Sequence, residues 1–482
     1  MSKKLQRRDF LRKSAMAVGS ITILPSHFVF GAKSPVTRMG ANRNMVPPSE
    51  KLNLAGIGIG NRGGGVINAL ESTGLANVVA LCDADLGANH TKGLLKKYPK
   101  ASRFHDFREM FDKMSNQIDA VSVGTPDFAH FPMTMLAMSL GKHVYVEKPL
   151  ARTFNENQLM MEAAERYGVA TQMGNQGHSE ANYFQFKTFV EKGIIKDVKQ
   201  ITAHMNNKRR WHGWDTNMTK YPAGQRIPET LDWDTWLGTA QHHEYNKDYH
   251  YGQWRCWYDF GMGALGDWGA HIIDTAHEFL NLGLPYEVDP VRLKGHNSFF
   301  FPQSSTLAFK FPKRGKMPAC TLTWYDGLDN IPEVPEGYGT SELDANIPPA
   351  SNGKIQPSKL NPGKIIYGKD MIFKGASHGS TLKIIPSDRA KEMEGKLPEI
   401  PKSTSNHFKN FLLGCKGEEK CRSSFDVAAP LSQVFNLGVI AQQMNTKIKF
   451  DRKRNKITNN KLANQLLIGT PPRKGWEEFY KL

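Results

Sequence analysis

The chain has 482 residues, enough for two or three domains at about 150 residues each, and 39% hydrophobic content with 10% aromatics fits a protein with a sizeable buried core. The formal charge of +17 would point to nucleic acid, but six Lys/Arg and one Asp fall in the first 32 residues, leaving a scattered +12 elsewhere. Five widely spaced cysteines (Cys82, Cys256, Cys320, Cys415, Cys421) indicate neither a disulfide framework nor a CxxC metal site, and no apolar run reaches the roughly 20 residues of a membrane-spanning helix.

The first 32 residues pair Arg7-Arg8 with Phe10-Leu11-Arg12 and then run apolar from Ala15 to Leu24. This pattern resembles a twin-arginine export signal, and the other reading is a basic amphipathic helix. The resemblance implies the twin-arginine machinery as a partner and a periplasmic or otherwise exported location. Because that route carries folded proteins, it also implies a tightly bound cofactor. Residues 33–50 hold three prolines and no periodicity, so they read as an arm or linker, and folding is expected to begin at Lys51.

From Leu52 the sequence LNLAGIGIGNRGGG predicts a strand, a glycine turn and a helix. Gly58, Gly60 and Gly63, with Asn61 and Arg62 between them, form G-x-G-x-x-G in the context that lets backbone approach a pyrophosphate at a helix N-terminus. A second strand, NVVALCDAD, ends at Asp83, 20 residues after Gly63, where a carboxylate can accept hydrogen bonds from a ribose. Asp83 would repel a 2′-phosphate, which favours NAD, while Arg62 leaves NADP open. The strand 118–125, an amphipathic helix over 130–142 and the strand HVYVEKP continue the alternation, so a parallel Rossmann sheet is expected over 51–178. Thr125-Pro126 and Glu147-Lys148-Pro149 then sit at the carboxyl ends of adjacent strands, where such sheets bind ligands. On spacing alone, Lys148 reads equally well as a solvated strand end or as an amine facing the nicotinamide. His130 and Asn175 are expected beside the cofactor with these residues, and Gln176 beside the substrate.

After residue 178 the alternation stops. The stretches 198–205, 305–311 and 319–325 read as strands of a mainly antiparallel sheet, giving a second, α+β domain over 179–450. In residues 254–281, Asp267, His271 and Asp274 are spaced to share one helical face. That spacing suits an acid–base pair in which Asp267 orients His271, and suits equally a core histidine tied to a structural carboxylate. A metal site is not expected, because His277 lies on another face. Arg209, Trp211, Trp214, Trp254 and Trp257 cluster nearby; indole faces stack on sugars, and one or two of these tryptophans are expected at the substrate. The basic cluster at 449–461 carries no zinc-finger or RNA-binding signature and reads as a solvated face opening a basic tail over 451–482. No nucleic-acid partner is expected.

Taken together, the glycine turn, the strand-end Asp83, Thr125-Pro126, Glu147-Lys148-Pro149 and Asp267-x-x-x-His271 resemble the glucose-fructose oxidoreductase and inositol dehydrogenase family, Gfo/Idh/MocA. LDWDTWLGTA at 231–240 and HFKNFLLGCKG at 407–417 extend the likeness over nearly all of 51–450. The loop 326–363 and the tail depart from it. The resemblance implies a Rossmann domain followed by an open-sheet domain that often pairs subunits, hence a homo-oligomer (dimer or tetramer). It implies catalytic roles for Lys148, Asp267 and His271, and a proline at 149 that is often cis. The implied activity is reversible oxidation of a secondary hydroxyl on a sugar, glycoside or polyol, with NAD held and recycled. Two rivals stand: a glycoside hydrolase working by transient C3 oxidation and elimination, and a non-catalytic sugar-binding protein.

Overall fold

The computed structural model describes residues 50–207, 215–250, 252–339 and 360–481. The segments expected as an export signal and an arm, together with Arg209, Trp211 and Trp214, lie outside the described residues.

The first domain runs β1 (Leu52–Ile57), α1 (Asn61–Glu71), β2 (Ala76–Cys82), α2 (Asn89–Lys97), β3 (Ser102–Phe104), α3 (Phe107–Met114), β4 (Ala120–Val123), α4 (His130–Ser139), β5 (His143–Val146), α5 (Phe154–Tyr167) and β6 (Thr171–Met173). Its six strands are all parallel, in the order β3-β2-β1-β4-β5-β6. The order reverses between β1 and β4, which opens a crevice at their carboxyl ends. α4 differs from the amphipathic reading, since His130 through Met138 are all buried. The reason lies in the C-terminal segment: Tyr480 packs on Phe131, ring centroids 4.5 Å apart and tilted by 39°, on the face that would otherwise meet water.

The second domain adds α6 (Ala181–Glu191), β7 (Gln200–Met205), α7 (Trp233–Leu237), α8 (Gly263–Ile272), α9 (Asp274–Phe279), β8 (Glu287–Lys294), β9 (Ser304–Phe311) and β10 (Cys320–Asp326). It continues through β11 (Gly363–Tyr367), β12 (Ile372–Ala376), β13 (Lys383–Ile385), α10 (Ser387–Glu392), α11 (His407–Cys415), α12 (Phe425–Met444), β14 (Ile448–Asp451), β15 (Lys456–Ile457) and α13 (Lys461–Gln465). The nine strands follow the order β13-β12-β11-β7-β10-β9-β8-β14-β15, antiparallel except at β7–β10. Alternation is plain in β10, where Cys320, Leu322, Trp324 and Asp326 are buried and the residues between them are not.

The two domains share one core. α12 packs on α5 of the first domain and on α8 and β8 of the second, and a single buried apolar cluster runs from Ala55 to Phe479. Asn436 of α12 ties the join: it donates to the Arg152 carbonyl at 2.8 Å and accepts from Asn157 at 2.8 Å. The C-terminal segment expected as a basic tail is partly clamped down. Arg452 to Lys456 are exposed, but Trp476 and Phe479 are buried against α3. The five cysteines are free thiols, all buried. No described helix is long and apolar enough to cross a membrane.

A buried ionic clamp joins the turn after β6 to α9. His178 lies between the Asp274 carboxylate (3.1 Å) and the Glu278 carboxylate (2.6 Å). Burial opposes a charge on His178, but the hydrogen bonds to Asp274 and Glu278 outweigh it and raise its pKa from 6.5 to about 9. Since the folded value lies above the unfolded one, the stability this clamp contributes is complete below the ordinary histidine pKa and is lost as pH rises through about 9. His178→Gln is expected to destabilise the protein by about 3–5 kcal/mol at neutral pH, because it strands a buried carboxylate. The gap in unfolding temperature between wild type and variant, measured from about pH 6 to about pH 9.5, should shrink at the alkaline end.

Candidate active site

The glycine turn forms the floor of the crevice. Gly58 has φ +74°, which favours glycine, and a Cβ at Gly63 would lie 1.8 Å from the Gly58 carbonyl oxygen. Asn61 takes up φ 42° to start α1, whose N-terminus has no side-chain cap and no acidic residue in its first turn. Its first N–H groups and the helix dipole thus favour an anion from the cleft. At the end of β2, Asp83 is fixed by two backbone donors, Ile59 N and Asp85 N, both at 2.9 Å. Each carboxylate oxygen keeps a lone pair that could accept from a ribose hydroxyl. A cleft runs along these groups past Thr125, Pro126 and Glu147 to Trp254 and Arg255. These donors and acceptors, with glycines where a Cβ would block the approach, fit a dinucleotide.

Glu147 is buried, and its carboxylate accepts from Arg62 of the glycine turn at 2.9 Å and from Gln176 at 3.3 Å. It therefore holds the turn to the end of β5. Two expected cofactor contacts have other duties. The ring nitrogens of His130 lie 2.9 Å and 3.0 Å from the carbonyl oxygens of Pro149 and Thr125, so this fully buried ring braces the two strand ends. Asn175 is buried and accepts from Ser423 at 2.7 Å while donating to Asp274 at 3.4 Å. Neither residue lines the cleft, and neither do Gln176, Lys148, Asp267 and His271.

Lys148 answers the ambiguity left by spacing, for it is not a solvated strand end. It is 9% exposed, and its ammonium donates to the Asp267 carboxylate at 2.5 Å and to the Asp267 carbonyl at 2.9 Å. The Lys148–Pro149 peptide is cis. α8 reaches this rim because it is glycine-rich: a Cβ at Gly266 would meet Met262 at 2.3 Å and Pro149 at 3.4 Å. Arg255 completes the cluster, stacked on Trp254 at 4.2 Å and lying 3.6 Å from Asp267 and 3.5 Å from Asp127. Two cations thus face two carboxylates in a buried, balanced quartet. Burial lowers the Lys148 pKa, and Asp267 opposes that shift.

Lys148 and Arg255 both meet one oxygen of the Asp267 carboxylate, Oδ1, so the contacts that hold this carboxylate are with two cations and not the pairing with His271 that spacing suggested. The expected trio also divides, since α8 ends at Ile272 and Asp274 begins α9, where it serves His178. His271 is stacked instead on His378, ring centroids 4.0 Å apart and 16° from parallel, while the His378 N–H donates to the His271 carbonyl at 2.8 Å. His271 Nδ1 is buried without a hydrogen-bond partner. Burial, then the proximity of His378 and Lys148, holds the His271 pKa well below the ordinary value, so the imidazole is neutral. Trp254 lines the cleft, whereas Trp257 is fully buried and donates to the Asp248 carbonyl at 2.7 Å.

Sequence reading missed Arg255, His378 and Asp127. Arg255 stood inside the stretch singled out above, next to Trp254, and its charge there was the available signal. His378 arrives from the loop after β12, more than a hundred residues away, at φ 55°; nothing local marks it.

Gly63→Ala is expected to abolish dinucleotide binding in titration calorimetry and to destabilise the fold by about 1–3 kcal/mol, because the turn has no room for a methyl group. His378→Ala removes a neighbour that depresses His271, so the His271 pKa should rise toward the usual histidine value; titration of isotope-labelled histidine by NMR reads this directly.

Comparison with known proteins agrees with this geometry. Residues 52–175 match the family described as oxidoreductase family, NAD-binding Rossmann fold, and residues 181–293 match its C-terminal alpha/beta domain. A glycosyl hydrolase family 109 protein of Shewanella pealeana is 26% identical over 222 residues, 43% of this chain and 47% of that protein. A scyllo-inositol 2-dehydrogenase (NADP(+)) of Bacillus subtilis is 25% identical over 202 residues, 42% of this chain and 44% of that protein. The chain thus spans about half the length of the curated relatives it matches. Among solved structures, the WlbA dehydrogenase of Bordetella pertussis, in complex with NADH and UDP-GlcNAcA, shares the fold with TM-score 0.54 at 15% identity, covering 83% of this chain and 99% of that one. With an NAD-binding Rossmann sheet and the companion C-terminal domain both matched in order along one chain, the protein belongs to the Gfo/Idh/MocA family of oxidoreductases.

Proposed function

We propose that the protein reversibly oxidises a secondary hydroxyl of a sugar, glycoside or polyol, keeping its dinucleotide bound through the cycle and working outside the cytoplasm after twin-arginine export. The observation that carries the reading is the buried Lys148–Asp267 pair, next to the cleft residues Glu147 and Arg255, with the neutral His271 one helical turn further on. When bound, the nicotinamide supplies the hydride acceptor. The chain supplies everything else. Lys148 spends two donors on Asp267, and its third N–H is free to meet the hydroxyl oxygen and stabilise charge as the proton leaves. His271, neutral and so carrying a ring lone pair, is the group on α8 that can accept that proton. His378 keeps the ring in plane by stacking, and Asp267 holds the ammonium in place. Trp254 offers an apolar wall beside the cleft for the C–H face of a sugar.

Asp83 and Asp85 line one end of the cleft, and two carboxylates there favour NAD over its 2′-phosphorylated form. Retention of the dinucleotide rests on the export signal, since no free nicotinamide pool is expected outside the cytoplasm. The homo-oligomer, dimer or tetramer, is proposed on the family resemblance. The Shewanella relative favours a second reading, in which oxidation at C3 acidifies the neighbouring C–H, elimination breaks the glycosidic bond, and water and hydride are then returned. The product separates the two: a ketosugar marks the first, and a free aglycone without ketosugar marks the second.

Purified protein offered a panel of glycosides should develop the absorbance of reduced nicotinamide. Lys148→Ala and His271→Ala are each expected to slow that reduction by about 10²- to 10⁴-fold. A Lys148→Ala variant that reduces bound dinucleotide at the wild-type rate would remove Lys148 from the mechanism.

A further inference from the structure

We propose that Arg473, in the C-terminal segment, is a positioning residue for the bound dinucleotide: it clasps α7 shut over the Asp83 end of the cleft and so sets how slowly the dinucleotide leaves. The proposal rests on the dinucleotide reading and goes beyond it, by naming the part of the chain that makes binding tight.

The cleft has two walls of different origin. One is the first domain, with Asp83, Asp85 and Phe107; the other is a cover from the second domain, with Thr235 and Trp236 of α7 and Trp254 beyond them. The cover rests on the β2–α2 turn, where Asp232 N donates to the Ala84 carbonyl at 2.8 Å and Thr230 occupies the space over Gly87. Trp236 seats on Phe128 at 5.2 Å and is stacked by Trp233 at 4.6 Å. A five-residue helix is far too short to hold its place by its own hydrogen bonds, so it must be held from outside.

Arg473 does this. All three guanidinium nitrogens are spent on α7 and its C-terminal end: Nη1 on the Asp234 carboxylate at 2.5 Å, Nη2 on the Asp234 carbonyl at 2.8 Å and Nε on the Gly238 carbonyl at 3.0 Å. Three residues on, Trp476 lies against Gly238 and under the Arg108 guanidinium at 4.2 Å, and it packs on Phe107, a wall of the cleft. Tyr480 anchors the far end by donating to Glu156 at 2.7 Å. The segment therefore bridges cover and floor on the outside of the cleft. A dinucleotide leaving past α7 must lift a helix that three charge-assisted hydrogen bonds hold down.

The test uses the full-length protein loaded with NADH, with release followed by loss of bound-NADH fluorescence after a chase with excess NAD. Arg473→Ala should release NADH about 10- to 100-fold faster than wild type, and Arg473→Lys, which keeps the charge but not the fork, should fall between them. Asp234→Ala alters the exposed partner on the cover, should speed release in the same direction, and keeps the test decisive if Arg473→Ala does not fold. Because Arg473 and Asp234 share one contact, the double variant should release no faster than Arg473→Ala. Release rates within about twofold of wild type in both folded single variants would overturn the clasp. NADH binding to none of the proteins, wild type included, would overturn the dinucleotide reading and the clasp together, whereas unchanged release from proteins that do bind NADH overturns the clasp alone.

Discussion

Everything at the candidate site is organised around one buried ion pair, Lys148 with Asp267. A charged amine and a carboxylate taken from water are costly unless each finds the other in good geometry and their remaining donors and lone pairs are met. Here the amine comes from the end of a parallel strand and the carboxylate from a helix of the second domain, so the pair forms only when the domains are docked. Arg255 and Asp127 extend the pair to a balanced quartet, which lets four charges sit in a nearly dry rim without net charge. The surrounding residues follow from this requirement. Glycines let α8 approach Pro149, His130 ties the two strand ends together, and Glu147 draws the glycine turn to the same point.

The parallel half of the fold was legible because its signals are local. A glycine turn between a strand and a helix, an acid at the end of the next strand and regular βα spacing each concern residues near in sequence, and together they imply a parallel sheet, though not the order of its strands. The antiparallel half was legible in kind but not in order, since alternation marks a strand without naming its partner. β7 pairs in parallel with β10 across more than a hundred residues, and no pattern in either strand shows it.

Within the site, residue types were easier to read than pairings. The i, i+4 spacing correctly put Asp267 and His271 on one helix, yet it suggested that they serve each other. The carboxylate instead answers the stronger demand of a buried ammonium, and the imidazole is left to a ring from a distant loop. Asp274 was drawn into the same pattern because periodicity does not register the break at Ile273, where one helix gives way to another. The C-terminal segment misled for the opposite reason: its basic composition described the exposed hairpin at its start and hid the aromatic anchors at its end.

The continuous apolar interior that welds the two halves through α12 bears on turnover. Proteins that clamp ligands by swinging lobes need a seam poor in buried contacts, and this molecule has none between its halves. Wholesale closure is thereby denied to it, and the geometry of the site stands preformed before a ligand arrives. Whatever freedom the crevice has to open lies in the small peripheral pieces that border it.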